Sequence, residues 1–330
     1  MQKKDLGLGV LVLVVGAVVA MLNPRFLSPI NLANTANLIG LFGLFSVAQA
    51  FVIVTGGIEL SVGSIIALLG VIFVDLIVTH HVPWPLAMAL VLVLGGVMGT
   101  IHGLLIVRLK LQPFVVTLCG LLIYRGIARF YTADGTAGFT FGSSFPTLEW
   151  VTSGRTAGVP HSVIAFAVVA AIAWFTLHRT VFGRHLYAVG KNEEAARFSG
   201  INADRVIVLA YVIAAVLTAI AAVFFAMYTR SIQPASHGNF YELYSIAAAV
   251  LGGFSLRGGE GSIIGVVLGV VLLQMLQNLV NLLGIPSSLN FAVMGSVILI
   301  GVIADTQVAR YREVRRQRAT LARIDAPARP

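Results

Sequence analysis

Six ionisable residues, Glu59, Asp75, His102, Arg125, Arg129 and Glu242, fall inside or at the edges of long apolar runs, where a charge is costly and tends to be functional. Covalent chemistry would need a nucleophile beside a base, or ligands at metal-binding spacing. The chain has no such set, so neither catalytic residues nor a metal centre are expected. Cys119 is the only cysteine, which excludes an internal disulfide and a CxxC site. The single Gly-Lys pair, Gly190-Lys191, is followed by Asn192, so the G-x-x-x-x-G-K-[ST] loop that cradles nucleotide phosphates is absent. Gly7-x-Gly9 has Val12 where a G-x-G-x-x-G loop needs its third glycine. An intramembrane enzyme therefore ranks last. Asp75, Arg129 and Glu242 read as groups near span ends that reach water, and His102 as a hydrogen-bonded packing histidine. Glu59 stands apart because it lies in a glycine-flanked break, where a gating and structural hydrogen-bond role is preferred to solute contact. Uncharged amides supply a second chemistry. Gln274, Gln277, Asn278 and Asn281 share one helical face, and Asn34 and Asn37 form a smaller strip. Amides exchange hydrogen bonds with a neutral polar solute without trapping it, and they also glue helices or subunits together, so both readings stay open.

The elements that carry these residues follow from composition. Only 11% of the 330 residues are charged and 58% are apolar, with mean hydropathy +0.94, far too little charge to cover a water-facing surface. Runs of about 16 to 23 apolar residues predict an all-α polytopic membrane protein with ten spans. They lie near 6–22, 33–54, 62–78, 86–107, 114–131, 161–178, 206–228, 243–256, 262–283 and 289–304, the eighth being the shortest. A barrel is excluded because runs such as Val206 to Phe225 do not alternate. Lys3 and Lys4 before Leu6 to Leu22 resemble a signal sequence, but no A-x-A site follows, and the segment reads as a retained span. With the N-terminus inside, internal segments hold 17 of the 22 basic residues and external ones only Arg25, Arg155 and Arg230, which predicts both termini in the cytoplasm. The net charge of +9 thus serves topology, and nucleic acid is not an expected partner. Residues 1–304 read as one transmembrane domain with an internal loop at 179–205, and 305–330 as a basic tail near anionic lipid headgroups.

Two segments repeat a pattern. Gly56-Gly57-Ile58-Glu59-Leu60-Ser61 precedes Gly63-Ser64-Ile65-Ile66, and Gly252-Gly253 with Gly258-Gly259 precedes Gly261-Ser262-Ile263-Ile264. Paired glycine interruptions of this kind predict discontinuous helices along a translocation path, with ordinary tight loops as the other reading. Gly95, Gly99 and Gly103, and Gly261, Gly265 and Gly269, form ridges for close helix packing. The loop between spans five and six carries Phe139, Phe141, Phe145, Pro146 and Trp150, which suit an interfacial belt.

Within 179–205, Asn192 is a good N-cap, Glu193 and Glu194 suit the positive end of a helix dipole, and Gly200 is a good terminator, predicting a two-turn helix. Adjacent Ala195 and Ala196 leave it a low profile, with Arg197 and Ser199 beside them. On physics alone a solvated connector helix is preferred to a docking element. Glu194-Ala195-Ala196, three residues and Gly200 resemble the EAA-x3-G signature of permease subunits of bacterial ATP-binding-cassette (ABC) importers, although the later isoleucine and Leu-Pro of the longer signature are missing. Ala188-Val189-Gly190-x-Asn192 through Ile201, Thr55 through Ser64, Val250 through Gly261 and Asn278 through Ile285 are similar to the ribose-type sugar permease family. The resemblance runs from about Asn23 to Ile303. Glu59 departs from the commoner Asp but keeps the carboxylate.

The resemblance implies a bacterial inner-membrane transport subunit, not an enzyme, that passes a monosaccharide. A cytoplasmic ATPase would grip the Asn192 to Gly200 helix, a periplasmic sugar-binding protein would deliver the sugar at the aromatic loop, and a second permease copy, identical or related, would complete the pathway. ATP and Mg would belong to the ATPase, with no cofactor on this chain. The alternatives are an ion-coupled secondary carrier that uses Glu59 and, among importers, a branched-chain amino-acid permease.

Overall fold

The computed structural model describes residues 3–140, 142–286 and isolated positions beyond 286. The expected tenth span at 289–304, the tail at 305–330 and Phe141 thus lie largely or wholly outside the described residues. Within them the chain is an all-α bundle. Seven helices are long and apolar enough to cross a membrane: α1 (Lys3–Leu22), α2 (Pro29–Ile53), α4 (Trp84–Arg108), α5 (Pro113–Tyr131), α7 (His161–Arg179), α10 (Ala203–Thr229) and α12 (Ile263–Leu282). Two apolar helices are shorter, α3 (Val62–Val78) and α11 (Tyr241–Leu251). Three short helices, α6 (Pro146–Ser153), α8 (Val181–Lys191) and α9 (Glu193–Phe198), lie in the connections. Proline occupies the first turn of α2, α4, α5 and α6, where its missing N–H costs nothing and its fixed φ suits the helix.

The core sits between α2 and α10, the most buried of the spans, with α3 and α4 packed against α10. A cluster of Phe42, Phe45, Phe225, Tyr241 and Tyr244, with ring centroids 5.0 to 6.0 Å apart, joins α2, α10 and α11. Glycine ridges set the spacing. A Cβ on Gly99 would lie 2.4 Å from the Tyr211 carbonyl oxygen, and one on Gly265 1.9 Å from that of Gly252, so α4 meets α10, and α12 meets the end of α11, backbone to backbone.

The expected eighth span, 243–256, is corrected. Its helix ends at Leu251, and 11 residues cover only about 16 Å, half of a bilayer core. The crossing is completed by the non-helical residues 233–240. Gly238 packs on Gly63, the second residue of α3. Arg125, twelve residues and about 18 Å along α5, donates to the carbonyls of Pro234 (2.7 Å) and His237 (2.6 Å). Irregular backbone is tolerated at such depth only where protein satisfies it, and the Arg125 guanidinium does so here. Glu242 is corrected with it. It is buried at the start of α11, facing Gly63, rather than reaching water at a span end.

At one end of the bundle two antiparallel ladders of two residues per strand close the long loop: β1 (Ala137–Gly138) pairs with β4 (Ser231–Ile232), and β2 (Arg155–Thr156) with β3 (Val159–Pro160). At the other end lie α8, α9 and both glycine breaks.

Candidate functional site

The first break, residues 54–61, is held by hydrogen bonds involving α2, α4, α5 and α10. Glu59 is 3% exposed. Its Oε1 accepts from the Ser61 backbone N–H (2.7 Å) and hydroxyl (2.5 Å), and its Oε2 lies 3.0 Å from His102 Nδ1 on α4. His102 Nε2 is 3.0 Å from the Tyr124 hydroxyl on α5. An ionised carboxylate only accepts, so an ionised Glu59 places the His102 proton on Nδ1 and leaves Nε2 to accept from Tyr124. Gln49 on α2, its amide turned to suit its neighbours, donates to Glu59 O (3.2 Å) and accepts from Glu59 N (3.3 Å). Thr117 on α5 and Tyr211 on α10 both donate to Ile58 O. Gly56 takes a φ of +83°, and a Cβ on Gly57 would lie 2.6 Å from the Tyr211 hydroxyl. The carboxylate therefore pins an unwound segment to α4 and α5, while amide and hydroxyl groups of α2 and α10 hold the backbone beside it.

The second break, residues 252–262, meets the first. Gly259 N–H donates to Val54 O at 2.8 Å. Gly253, Gly258 and Gly259 all have positive φ. A cleft of about 380 Å³ opens beside the junction, lined by Gly56, Gly57, Lys110, Gln112, Glu193 and Tyr211 among others.

The short helix α9 stands at this same end. Asn192 Oδ1 accepts from the Ala195 N–H at 2.9 Å, and Gly200 closes the helix with a φ of +83°. Arg197 bonds Glu193 at 2.7 Å and also Asp204, and these two carboxylates raise its pKa. Ala196 alone faces inward. Glu193, Glu194, Ala195, Arg197, Ser199 and Gly200 are exposed. Phe198, 91% exposed, is a large apolar side chain that the sequence reading passed over, although an aromatic residue on a polar two-turn helix was its signal. The preceding helix α8 was also missed. Thr180 caps it, and it buries Gly183, Leu186 and Val189.

The amide strips divide. Asn278 and Asn31 exchange a pair of bonds (2.8 and 3.0 Å) that ties α12 to α2, and Asn37 accepts from Ser162 of α7 at 2.6 Å. These amides act as interhelical glue. Gln274 is buried, and its Oε1 and that of Gln277 find no hydrogen bond among the described residues. Asn34 and Asn281 are exposed. At the opposite end, Arg230 binds Glu149 (2.7 Å) and the Ser143 carbonyl (2.8 Å) beside the exposed Trp150, and its guanidinium holds the Glu149 carboxyl below the usual carboxylate range.

A multi-pass bundle with two apolar helices broken at paired glycines, and a small exposed helix at the level of the breaks, defines a membrane permease. The family profile described as "Branched-chain amino acid transport system / permease component" matches residues 31–302, and the chain belongs to that family. It is similar to the ribose import permease protein RbsC of Bacillus subtilis strain 168, at 41% identity over 92% of this chain and 93% of the relative. RbsC of Escherichia coli K12 is 36% identical over 93% and 94%, and the D-allose transport system permease protein AlsC of the same strain is 31% identical over 90% of each. No solved structure matches the chain. Although the family's description mentions amino acids, these relatives are sugar permeases, and the amino-acid alternative is not favoured.

Proposed function

We propose that this chain is the transmembrane subunit of an ABC importer that passes a monosaccharide of the ribose type across a bacterial inner membrane, with both termini cytoplasmic. The observation that carries the reading is α9: a capped, short helix, exposed except at Ala196, beside two glycine breaks that touch one another. A separate ATPase docks on α9 and supplies the energy with its own ATP and Mg. A periplasmic binding protein delivers the sugar to the loop around Trp150. A second permease copy completes the pathway, with the exposed amides Asn34 and Asn281, and Gln274 and Gln277, whose Oε1 atoms have no hydrogen bond among the described residues, as the polar groups available to sugar hydroxyls or to that copy. Glu59 serves structure and gating, since Ser61 and His102 already occupy both of its oxygens.

The test is reconstitution in liposomes with radiolabelled ribose. Uptake is expected with ATPase, binding protein and ATP together, and none with the permease alone under a proton or sodium gradient. Uptake by the permease alone under such a gradient would establish an ion-coupled carrier instead.

A further inference from the structure

The two breaks and the last turn of α8 share backbone contacts that no side chain mediates. A Cβ on Gly190 would lie 1.8 Å from Val54 O and 2.6 Å from Gly259 N, so the end of α8 fills the notch where the breaks meet. A Cβ on Gly258 would lie 2.7 Å from Gly56 N and 2.8 Å from Gly190 O, and one on Gly259 2.8 Å from Lys191 Cα. Val54 O and Gly259 N–H close the triangle. Side chains brace it from outside. Tyr187 donates to Gly261 O at 2.8 Å, the Lys191 ammonium lies 3.0 Å from Glu260 Oε1, and His178 of α7 accepts from Ile263 N–H at 3.3 Å. Three chain segments thus meet with no compressible layer between them, and close-packed groups of this kind transmit displacement instead of absorbing it. Asn192 ends α8 and caps α9 in one residue, so there is no slack on that side either.

We propose that the C-terminal turn of α8 locks both repeat breaks into one rigid block, so that a displacement of α9 moves the two breaks together. Tyr187 and Gly190 are the positioning residues of this block. The proposal rests on the importer reading for the source of the displacement. The opposite arrangement is a gate in which residues 54–59 part from 252–262 to open the path at this end.

Lys191 and Glu260 suit a test because their side chains are 69% and 57% exposed, and an exposed ion pair of this kind contributes little energy of its own. In a Cys119→Ser background, Lys191→Cys and Glu260→Cys are joined by a short bifunctional thiol reagent in the full importer reconstituted with ATPase and binding protein. Crosslinking is expected to leave ATP-driven uptake of radiolabelled ribose within about twofold, less than the effect of one hydrogen bond. Loss of uptake on crosslinking, with the ATPase still bound, would overturn the rigid block. Failure of the uncrosslinked pair and of the wild type alike would instead count against the importer reading. The block then still faces a test in the purified permease, where spin labels at 191 and 260 are expected to give one narrow distance distribution and two populations would overturn it. Tyr187→Phe deletes one hydroxyl and little packing. Sugar carried per ATP hydrolysed is expected to fall about fivefold, the shift that one hydrogen bond supplies, with ATPase retention unchanged. An unaltered ratio would remove Tyr187 from the role.

Discussion

Glu59 matters through what it accepts. Replacing it with alanine strands the Ser61 N–H and His102 Nδ1 in a site almost closed to water, and each buried orphan costs about 1–3 kcal/mol. Glutamine fits better. Its oxygen keeps both Ser61 bonds, and its amide donates to His102 Nδ1 once the imidazole shifts its proton to Nε2 and the Tyr124 hydroxyl accepts. Glu59→Ala is therefore expected to lower the thermal midpoint in detergent by several degrees while Glu59→Gln stays near wild type, and equal losses would show that the carboxylate's charge, not its hydrogen bonds, sustains the break. Phe198 gives the converse case. Exposed on all sides, it adds nothing to the permease's own stability, so Phe198→Ala should leave the midpoint unchanged while weakening retention of the ATPase about tenfold or more, the effect of losing an interface anchor. Co-purification read against the midpoint separates the two. Glu59 was legible because an acid in a glycine-rich break is conspicuous. Its partners Gln49, His102 and Tyr124 were not legible as a set, since they come from α2, α4 and α5 and meet only in the fold.

Helix ends were easiest to see where a cap and a terminator frame a polar stretch, as Asn192 and Gly200 frame α9. Long apolar helices such as α10 and α4 were legible from length alone. The half-helix α11 was not, because an apolar count cannot tell a helical crossing from one finished by residues 233–240, and Arg125, whose guanidinium satisfies that segment, lies more than a hundred residues away. Helix α8 escaped because its buried residues, Gly183, Leu186 and Val189, are sparse among Arg184, His185 and Lys191. The glycine ridges can be tested within α4. Gly99→Ala drives a methyl group against the Tyr211 backbone 2.4 Å away and should destabilise by about 1–3 kcal/mol, the usual range for overpacking. Gly96→Ala meets only Val216 Cγ2 at 3.6 Å and gains helix propensity. Midpoints for the two variants should move in opposite directions. A matching fall in both would mean that glycine at these positions serves flexibility instead of close approach.

The two ends of the molecule are held by different physics. Where the two breaks meet, the contacts are backbone to backbone, braced by Tyr187, His178 and the exposed Lys191–Glu260 pair, whereas at the other end the loop over the bundle is tied through Arg230 to Glu149, to the Ser143 carbonyl and over the Phe139 ring at 4.9 Å. Because the folded Glu149 carboxyl sits below its ordinary value of 4.5, the tie is fully present above that value and is lost as pH falls through the lowered pKa. Raising pH through the same window restores it. The loop, including α6 and the exposed Trp150, should then loosen on acidification. Limited proteolysis of the intact permease in lipid is expected to cleave within residues 132–160 faster as pH falls below 4.5, the ordinary value for Glu149, through the lowered pKa. Glu149→Gln should be cleaved faster at neutral pH and lose the pH dependence, since an amide cannot pair with Arg230 as a charge. If Glu149→Gln keeps the acid-induced rise, another carboxylate controls the loop, and Asp134, bonded to Arg129 at 2.6 Å, is the next to replace.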